Sequence, residues 1–233
     1  MQKEEEKAVP VPFVDLELHP NIEDGLAAMG FENATPIQAQ AIPHILRNKD
    51  MLGIAQTGTG KTAAFLLPTM DIILDSPENG KVKALVVVPT RELAMQIDQA
   101  AEGFGYYTGV TSLAIYGGGS GKEFSREKQA LKEGSDIVVV TPGRMLSHLN
   151  LGYVDLSELE VLILDEADRM LDMGFHQDIM RIASHCRKGC QTLLFSATMP
   201  DRMRSLAHEL LNDPVTVQLA LSKPSANVKQ SAF

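Results

Sequence analysis

The segment "AQTGTGKT", Ala55 to Thr62, sets glycines, a lysine and a hydroxyl residue in the order that phosphate binding requires. Gly58 and Gly60 permit a tight loop whose backbone N–H groups point at an anion, and Gln56, Thr57 and Thr59 complete the cradle. Lys61 then reaches the β- and γ-phosphates of a nucleotide, and the Thr62 hydroxyl ligates Mg²⁺. The helix opening here adds its positive end. The strict pattern has glycine where this chain has Ala55, so the match is to a variant. "GGGSGKE" at 117–123 imitates the loop but has Glu123 in the hydroxyl position and lacks the earlier glycine. It is rejected as a second one.

A second cluster lies in "VLILDEADRM", residues 161–170. Three carboxylates, Asp165, Glu166 and Asp168, follow four apolar residues, although like charges repel. Acids in the first turn of a helix complement its dipole. That explains one or two of them, and three before Arg169 less well. A divalent cation neutralises all of them together. Asp165, closing a strand, orients metal-bound water of a Mg²⁺–nucleotide. Glu166 accepts the proton of the water attacking the γ-phosphate. Lys61, Asp165 and Glu166 are the candidate catalytic residues, with Thr62 and Asp165 on the metal.

These residues need strands and helices to position them. Apolar runs at 51–55, 84–89, 112–116, 136–140, 161–165 and 192–196, with a further one at 215–219, read as strands covered on both faces. Between them, 61–74, 91–103, 121–133, 142–150 and 200–211 read as helices. This alternation predicts an α/β fold: a mostly parallel twisted sheet with helices on both faces. A chain of 233 residues can bury such a core as one domain.

Composition narrows the function classes. There is no apolar run of about 18 residues, and the acidic "MQKEEEKAVPVP" start is no secretory signal. A cytoplasmic protein without a membrane partner is expected. A formal net charge of −9 argues against a general nucleic-acid binder, so any nucleic acid must be held by a small local site. Cys186 and Cys190, near His185 and His176, lack the paired ligand spacing of a zinc module. The sequon "NAT" at 33–35 is a chance match without a signal peptide.

With "AQTGTGKT" and "DEAD" the chain resembles the DEAD-box family of ATP-dependent RNA helicases. Further family motifs follow in order: "PTREL" (89–93), "GG" within 117–119, "TPGR" (141–144) and "SAT" (196–198). "GFENATPIQ" (30–38), with Phe13, is similar to the family's adenine-reading Q motif. The likeness implies a RecA-like P-loop domain over 13–219, with ATP and Mg²⁺ as cofactors. Gln38 would donate and accept at the adenine edge while Phe13 stacks on the ring. Pro89, Thr90, Arg91, Gly118, Thr141, Pro142, Gly143 and Arg144 would grip the RNA sugar–phosphate backbone without reading sequence. Ser196 and Thr198 would hydrogen-bond to Asp168, coupling the nucleotide and RNA sites. Simple packing for Phe13, an exposed helix face for Gln38 and plain N-capping for Thr90, Thr141 and the "SAT" hydroxyls are the structural alternatives.

The resemblance also implies a second RecA-like domain that supplies arginine fingers. After "SAT" there is no second phosphate-loop repeat and no "HRxGR"-like segment. Residues 1–12 read as a disordered lead and 220–233 as a linker toward that second domain. A monomer is expected that binds nucleotide but neither hydrolyses it quickly nor unwinds RNA. Another P-loop class, such as a small-molecule kinase or a DNA helicase, and a non-catalytic scaffold remain as alternatives.

Overall fold

A computed structural model describes residues 10–76, 80–118 and 121–219. Residues 1–9 of the lead expected over 1–12, the linker 220–233 and Gly119 of the glycine pair lie outside them; the end of that lead, Val11–Pro12, is not disordered but pairs with Asn33–Ala34. A short strand β1 (Val11–Pro12) leads through a 3-10 turn (Phe13–Leu16) to helix α1 (Pro20–Ala28), strand β2 (Asn33–Ala34) and helix α2 (Pro36–Leu46). Strand and helix then alternate through β3 (Met51–Ile54), α3 (Lys61–Asp75), β4 (Ala84–Val87), α4 (Arg91–Phe104), β5 (Ser112–Ile115) and α5 (Gly121–Glu133). The chain continues with β6 (Ile137–Val140), α6 (Pro142–Leu149), β7 (Val161–Leu164), α7 (Ala167–Asp172) and α8 (His176–Ala183). Strand β8 (Gln191–Ser196), helix α9 (Asp201–Leu210) and strand β9 (Val215–Gln218) follow.

Among the described residues, seven strands form one sheet in the order β5-β6-β4-β7-β8-β3-β9. Every pairing in it is parallel. The five inner strands are buried throughout because both faces are covered, whereas the edge strand β9 alternates, with Thr216 and Gln218 exposed. Alternate residues serve two separate cores: Ala84, Val86, Val161 and Ile163 join the layer holding α2 and α3. Leu85, Val87, Leu162 and Leu164 join the layer holding α6, α8 and α9. The seven apolar runs expected as strands are all strands, and the five expected helices are present.

The N-terminal helices α1 and α2 precede the alternation that revealed the rest and were not anticipated. In α2, Pro43 sits inside the helix, where it removes a backbone donor and obscures the pattern. Packing of α2 against α3 holds it together. Helix α8, which follows the short α7 between β7 and β8, was not anticipated either. The antiparallel pair β1–β2 is too brief to show alternation.

Gly53 explains an interruption in the apolar run of β3. It pairs with Phe195 of β8, whose fully buried ring lies over it and meets Phe65 of α3 at a centroid distance of 5.3 Å. A Cβ at Gly53 would lie 2.6 Å from the Phe195 ring. Gly53→Ala is therefore expected to lower stability by about 1–3 kcal/mol through overpacking. Calorimetric unfolding checks this, at roughly 2–4 °C in Tm per kcal/mol for a chain of this size. An unchanged Tm would mean that Phe195 moves aside at no cost.

Candidate nucleotide site and the neighbouring strand edge

Register brings the motif-bearing loops to one edge of the sheet. Ile54 lies beside Ser196, Leu164 beside both Leu194 and Val87, Val87 beside Val140, and Val140 beside Ile115. The loops after β3, β7 and β8 therefore crowd one half of the edge. The loops after β4, β6 and β5 line the other half. Open α/β sheets bind ligands at this carboxyl edge.

The loop after β3 is built as its glycines require. Gly58 and Gly60 have φ of 79° and 95°, a region that side chains disfavour. The Thr59 hydroxyl donates to the Gln56 carbonyl at 2.7 Å, closing the turn. Gln56, Thr57 and Gly58 are exposed, and Thr62 is half-buried at the start of α3. Lys61 is buried, and its Nζ donates to the Ala55 carbonyl at 2.8 Å, folded back across its own loop.

Gln38 does not lie on an exposed helix face; it is 6% exposed. Its amide nitrogen donates to the Gly60 carbonyl at 3.1 Å, and its amide oxygen accepts from the Thr35 N–H at 2.8 Å, capping α2. A Cβ on Gly60 would sit 2.5 Å from that nitrogen, so the glycine is needed for contact as well as for φ. Phe13 differs from expectation. At 4% exposed and packed in the core, its ring presents no open face for a base to stack on.

At the end of β7, Asp165 is 3% exposed and Glu166 has a left-handed backbone, φ 50°. The Glu166 N–H donates to Asp165 Oδ1 at 2.9 Å, and the Glu166 carboxylate accepts from Arg169 Nη1 at 3.1 Å. Asp168 lies in the first turn of α7, so the dipole explanation covers it in part. Its Oδ2 also accepts from the Thr198 N–H at 3.0 Å and the Thr198 hydroxyl at 2.7 Å. Ser196 does not make the bond to Asp168 expected of it. Its hydroxyl donates to the Thr198 carbonyl at 2.6 Å and so shapes the turn that presents Thr198. Neither hydroxyl caps α9, whose N-cap residue is Pro200. Thr57, Lys61, Glu166 and Asp168 line one cleft of about 220 Å³.

Burial pushes the Asp165 carboxyl up to about 6; Lys61 and the Glu166 N–H draw it down, and the charges of Glu166 and Asp168 push it up again. A buried carboxylate in that state gains from a cation. No group of three or more His, Cys, Asp or Glu among the described residues could hold a metal by itself. The donor set, Asp165 with the Thr62 hydroxyl, fits Mg²⁺ that arrives with phosphates, since Mg²⁺ commonly takes one or two carboxylates and completes its shell with phosphate and water. Cys186 and Cys190 are free thiols, each pushed up to about 12 by burial.

On the other half of the edge, the Thr90 hydroxyl caps α4 by accepting from the Leu93 N–H at 3.3 Å. Thr141 occupies the N-cap position of α6, but its hydroxyl makes no cap bond. Pro89 and Pro142 are buried, whereas Arg91, Gly118 and Gly143 are exposed. Gly118 has φ 96°. Arg144 turns inward to Glu127, a partner that motif spacing did not reveal.

A family model for the DEAD/DEAH box helicase matches residues 35–206. The chain belongs to that family. It is 44% identical over 219 residues to the DEAD-box ATP-dependent RNA helicase CshA of Geobacillus kaustophilus, covering 94% of this chain and 46% of that protein. It is 45% identical over 211 residues to the ATP-dependent RNA helicase DeaD of Escherichia coli K12, covering 90% of this chain and 33% of that one. A CshA of Bacillus cereus is 45% identical over 207 residues, 89% of this chain and 38% of that protein. The chain thus spans less than half the length of these relatives. Its sheet and helices form the α/β RecA-like domain of the DEAD-box family. No helix among the described residues is long and apolar enough to cross a membrane.

The buried acid of this DEAD-box domain has a measurable cost. Asp165 holds its proton more tightly folded than unfolded, so ionising it weakens the fold. The cost is small at pH 4 and vanishes below about pH 3, where the carboxyl is protonated in both states. It reaches full size once pH passes about 6. Asp165→Asn is therefore expected to stabilise the metal-free domain by up to about 3 kcal/mol at pH 7.5, and by well under about 1 kcal/mol at pH 4. Urea unfolding at both pH values checks this; equal stability at pH 7.5 would remove burial as the cause.

Proposed function

We propose that this chain is the ATP-binding core domain of an RNA helicase, whose whole protein couples RNA-stimulated ATP hydrolysis to local duplex unwinding or remodelling of RNA–protein complexes. The observation that carries the proposal is the cleft shared by Lys61, Glu166 and Asp168, with the buried Asp165 carboxyl close enough to feel the charge of all three. Lys61 leaves the Ala55 carbonyl to meet the β- and γ-phosphates. Thr62 and Asp165 would hold Mg²⁺, which would supply positive charge to the phosphate oxygens when bound. Glu166, lining the same cleft, takes the proton of the attacking water. Gln56 to Gly60 supply the phosphate cradle.

Adenine recognition follows from counting the valences of Gln38. A primary amide has two N–H donors and two acceptor lone pairs. Gly60 and Thr35 use one of each. One donor and one acceptor remain, the complement of adenine N7 and N6–H₂. Stacking by Phe13 requires its ring to turn outward, so Gln38 carries the base recognition.

For RNA, Pro89 to Arg91, Gly118 and Thr141 to Arg144 line the neighbouring half of the edge as backbone contacts, and the pair Asp168–Thr198 links them to the nucleotide. A few local donors suffice despite a net charge of −9. The partner is a second RecA-like domain that supplies arginine fingers, worth about 10³–10⁵ in rate in related systems. This chain is therefore a monomer that binds Mg²⁺–nucleotide, hydrolyses it slowly, and acts in the cytoplasm. Unwinding of an RNA duplex by the chain itself at a helicase's usual rate would exclude that.

Calorimetric titration with ADP and GDP in Mg²⁺ tests the base assignment: ADP binds more tightly, and Gln38→Ala removes the preference. Equal affinity for both nucleotides in the unaltered chain would discard it. In the complete protein, Lys61→Ala abolishes hydrolysis with loss of nucleotide affinity, whereas Glu166→Gln abolishes hydrolysis with affinity largely kept. Equal weakening of binding by both would remove the proton-accepting role from Glu166.

A further inference from the structure

Arg144 is tied down at the sheet edge. Its Nε donates to Glu127 Oε2 at 2.8 Å, and Nη2 lies 2.6 Å from the same oxygen. The two side chains are 14% and 9% exposed, respectively. His148 Nε2 approaches that oxygen at 3.0 Å from a fully buried ring, and its Nδ1 meets the Tyr153 hydroxyl. Burial keeps His148 below its ordinary pKa, while Glu127 pulls it upward and Arg144 downward. The neutral ring therefore donates through Nε2 to Glu127 and accepts at Nδ1 from Tyr153. Phe124 stacks on His148 at 4.5 Å, and the Arg144 guanidinium lies 4.7 Å over the same Phe124 ring. Phe124 thus sets the plane of the guanidinium and Glu127 its direction.

We propose that Glu127 is a positioning residue for RNA binding, holding Arg144 and the first turn of α6 in the orientation that meets an RNA phosphate. The inference rests on the reading of residues 141–144 as RNA backbone contacts. Glu127 engages only the Nε–Nη2 side of the guanidinium. An arginine has five N–H donors, so the Nη1 side stays available for phosphate. The opposite role, in which Glu127 competes with phosphate for the arginine, requires pulling Arg144 away from a buried carboxylate. That would leave an uncompensated charge beside His148, a far larger penalty than one exposed phosphate contact returns. What the geometry uses is the acceptor oxygen, which glutamine also has.

The test is binding of fluorescein-labelled single-stranded oligo-uridine to the 233-residue chain by anisotropy, from low to moderate KCl. Arg144→Ala is expected to weaken binding and to flatten the plot of log K against log salt by about 0.7, the share of one single-strand phosphate. Glu127→Ala should reproduce both changes. Glu127→Gln should keep most of the affinity and slope. Glu127→Ala combined with Arg144→Ala should be no weaker than Arg144→Ala alone, because one residue acts through the other.

Binding by Glu127→Ala as tight as the original or tighter, or losses that multiply in the double variant, would overturn the proposal while leaving Arg144 as an RNA contact. Arg144→Ala without effect would overturn that reading as well. If Glu127→Ala does not fold, Phe124→Leu carries the test. It removes the stacking plane and keeps the charges, so RNA affinity should fall, and unchanged affinity counts against the proposal.

Discussion

Parallel pairing in a fixed register is the constraint on which everything else here depends. Side chains in a strand alternate between faces, so a slip of one residue would turn every core residue of that strand toward the wrong layer. Val86 and Val87, or Ile163 and Leu164, belong to different cores, which pins the register from both sides. Once pinned, it delivers the carboxyl ends of β3 and β8, of β7 and β4, and of β6 and β5 to one edge. Strand order then sorts them. The neighbours β7, β8 and β3 bring the phosphate loop, the acid cluster and the "SAT" turn together. The neighbours β5, β6 and β4 carry the "GG", "TPGR" and "PTREL" segments.

Electrostatics gives the nucleotide half its character. Asp165 is buried with two further carboxylates close by, and only Lys61 and a backbone N–H favour its charge. Such an arrangement is poor for the metal-free fold and suited to a cation accompanied by phosphates. Glu166 adds backbone strain through its left-handed conformation, of a kind that clusters at functional sites. Thr198 fastens Asp168 through two hydrogen bonds, so the last residue of the acid cluster follows the loop after β8 instead of its own short helix.

On the other half of the edge, the charged side chains rest on aromatic and acidic supports. Arg91 lies 4.6 Å over the Tyr116 ring, and Arg144 lies over Phe124 against Glu127. Tyr116 comes just before Gly117 and Gly118, and Phe124 belongs to α5, which begins at Gly121. The segment carrying the glycines therefore orders arginines from two other loops. A protein of net charge −9 can offer positive groups locally in this way, because each guanidinium is stacked and aimed before a ligand arrives.

The sequence by itself determined the class of fold, the strands, the phosphate loop and the acid cluster. Each is encoded over a few consecutive residues: continuous apolar runs, glycines at φ-demanding positions, carboxylates closing a strand. It did not determine the partners of those residues, because partners come from packing across long separations. Gln38 reaches Gly60 across 22 positions, Thr198 reaches Asp168 across 30, and Glu127 meets Arg144 across 17. The buried ring of Phe13 and the helix α2 that survives Pro43 were decided the same way, whereas the Ser196 hydroxyl is taken by a bond only two residues on. For Phe13 and α2 tertiary contacts outweighed the local preference, since the summed burial of several side chains exceeds the roughly 3 kcal/mol that one proline costs a helix.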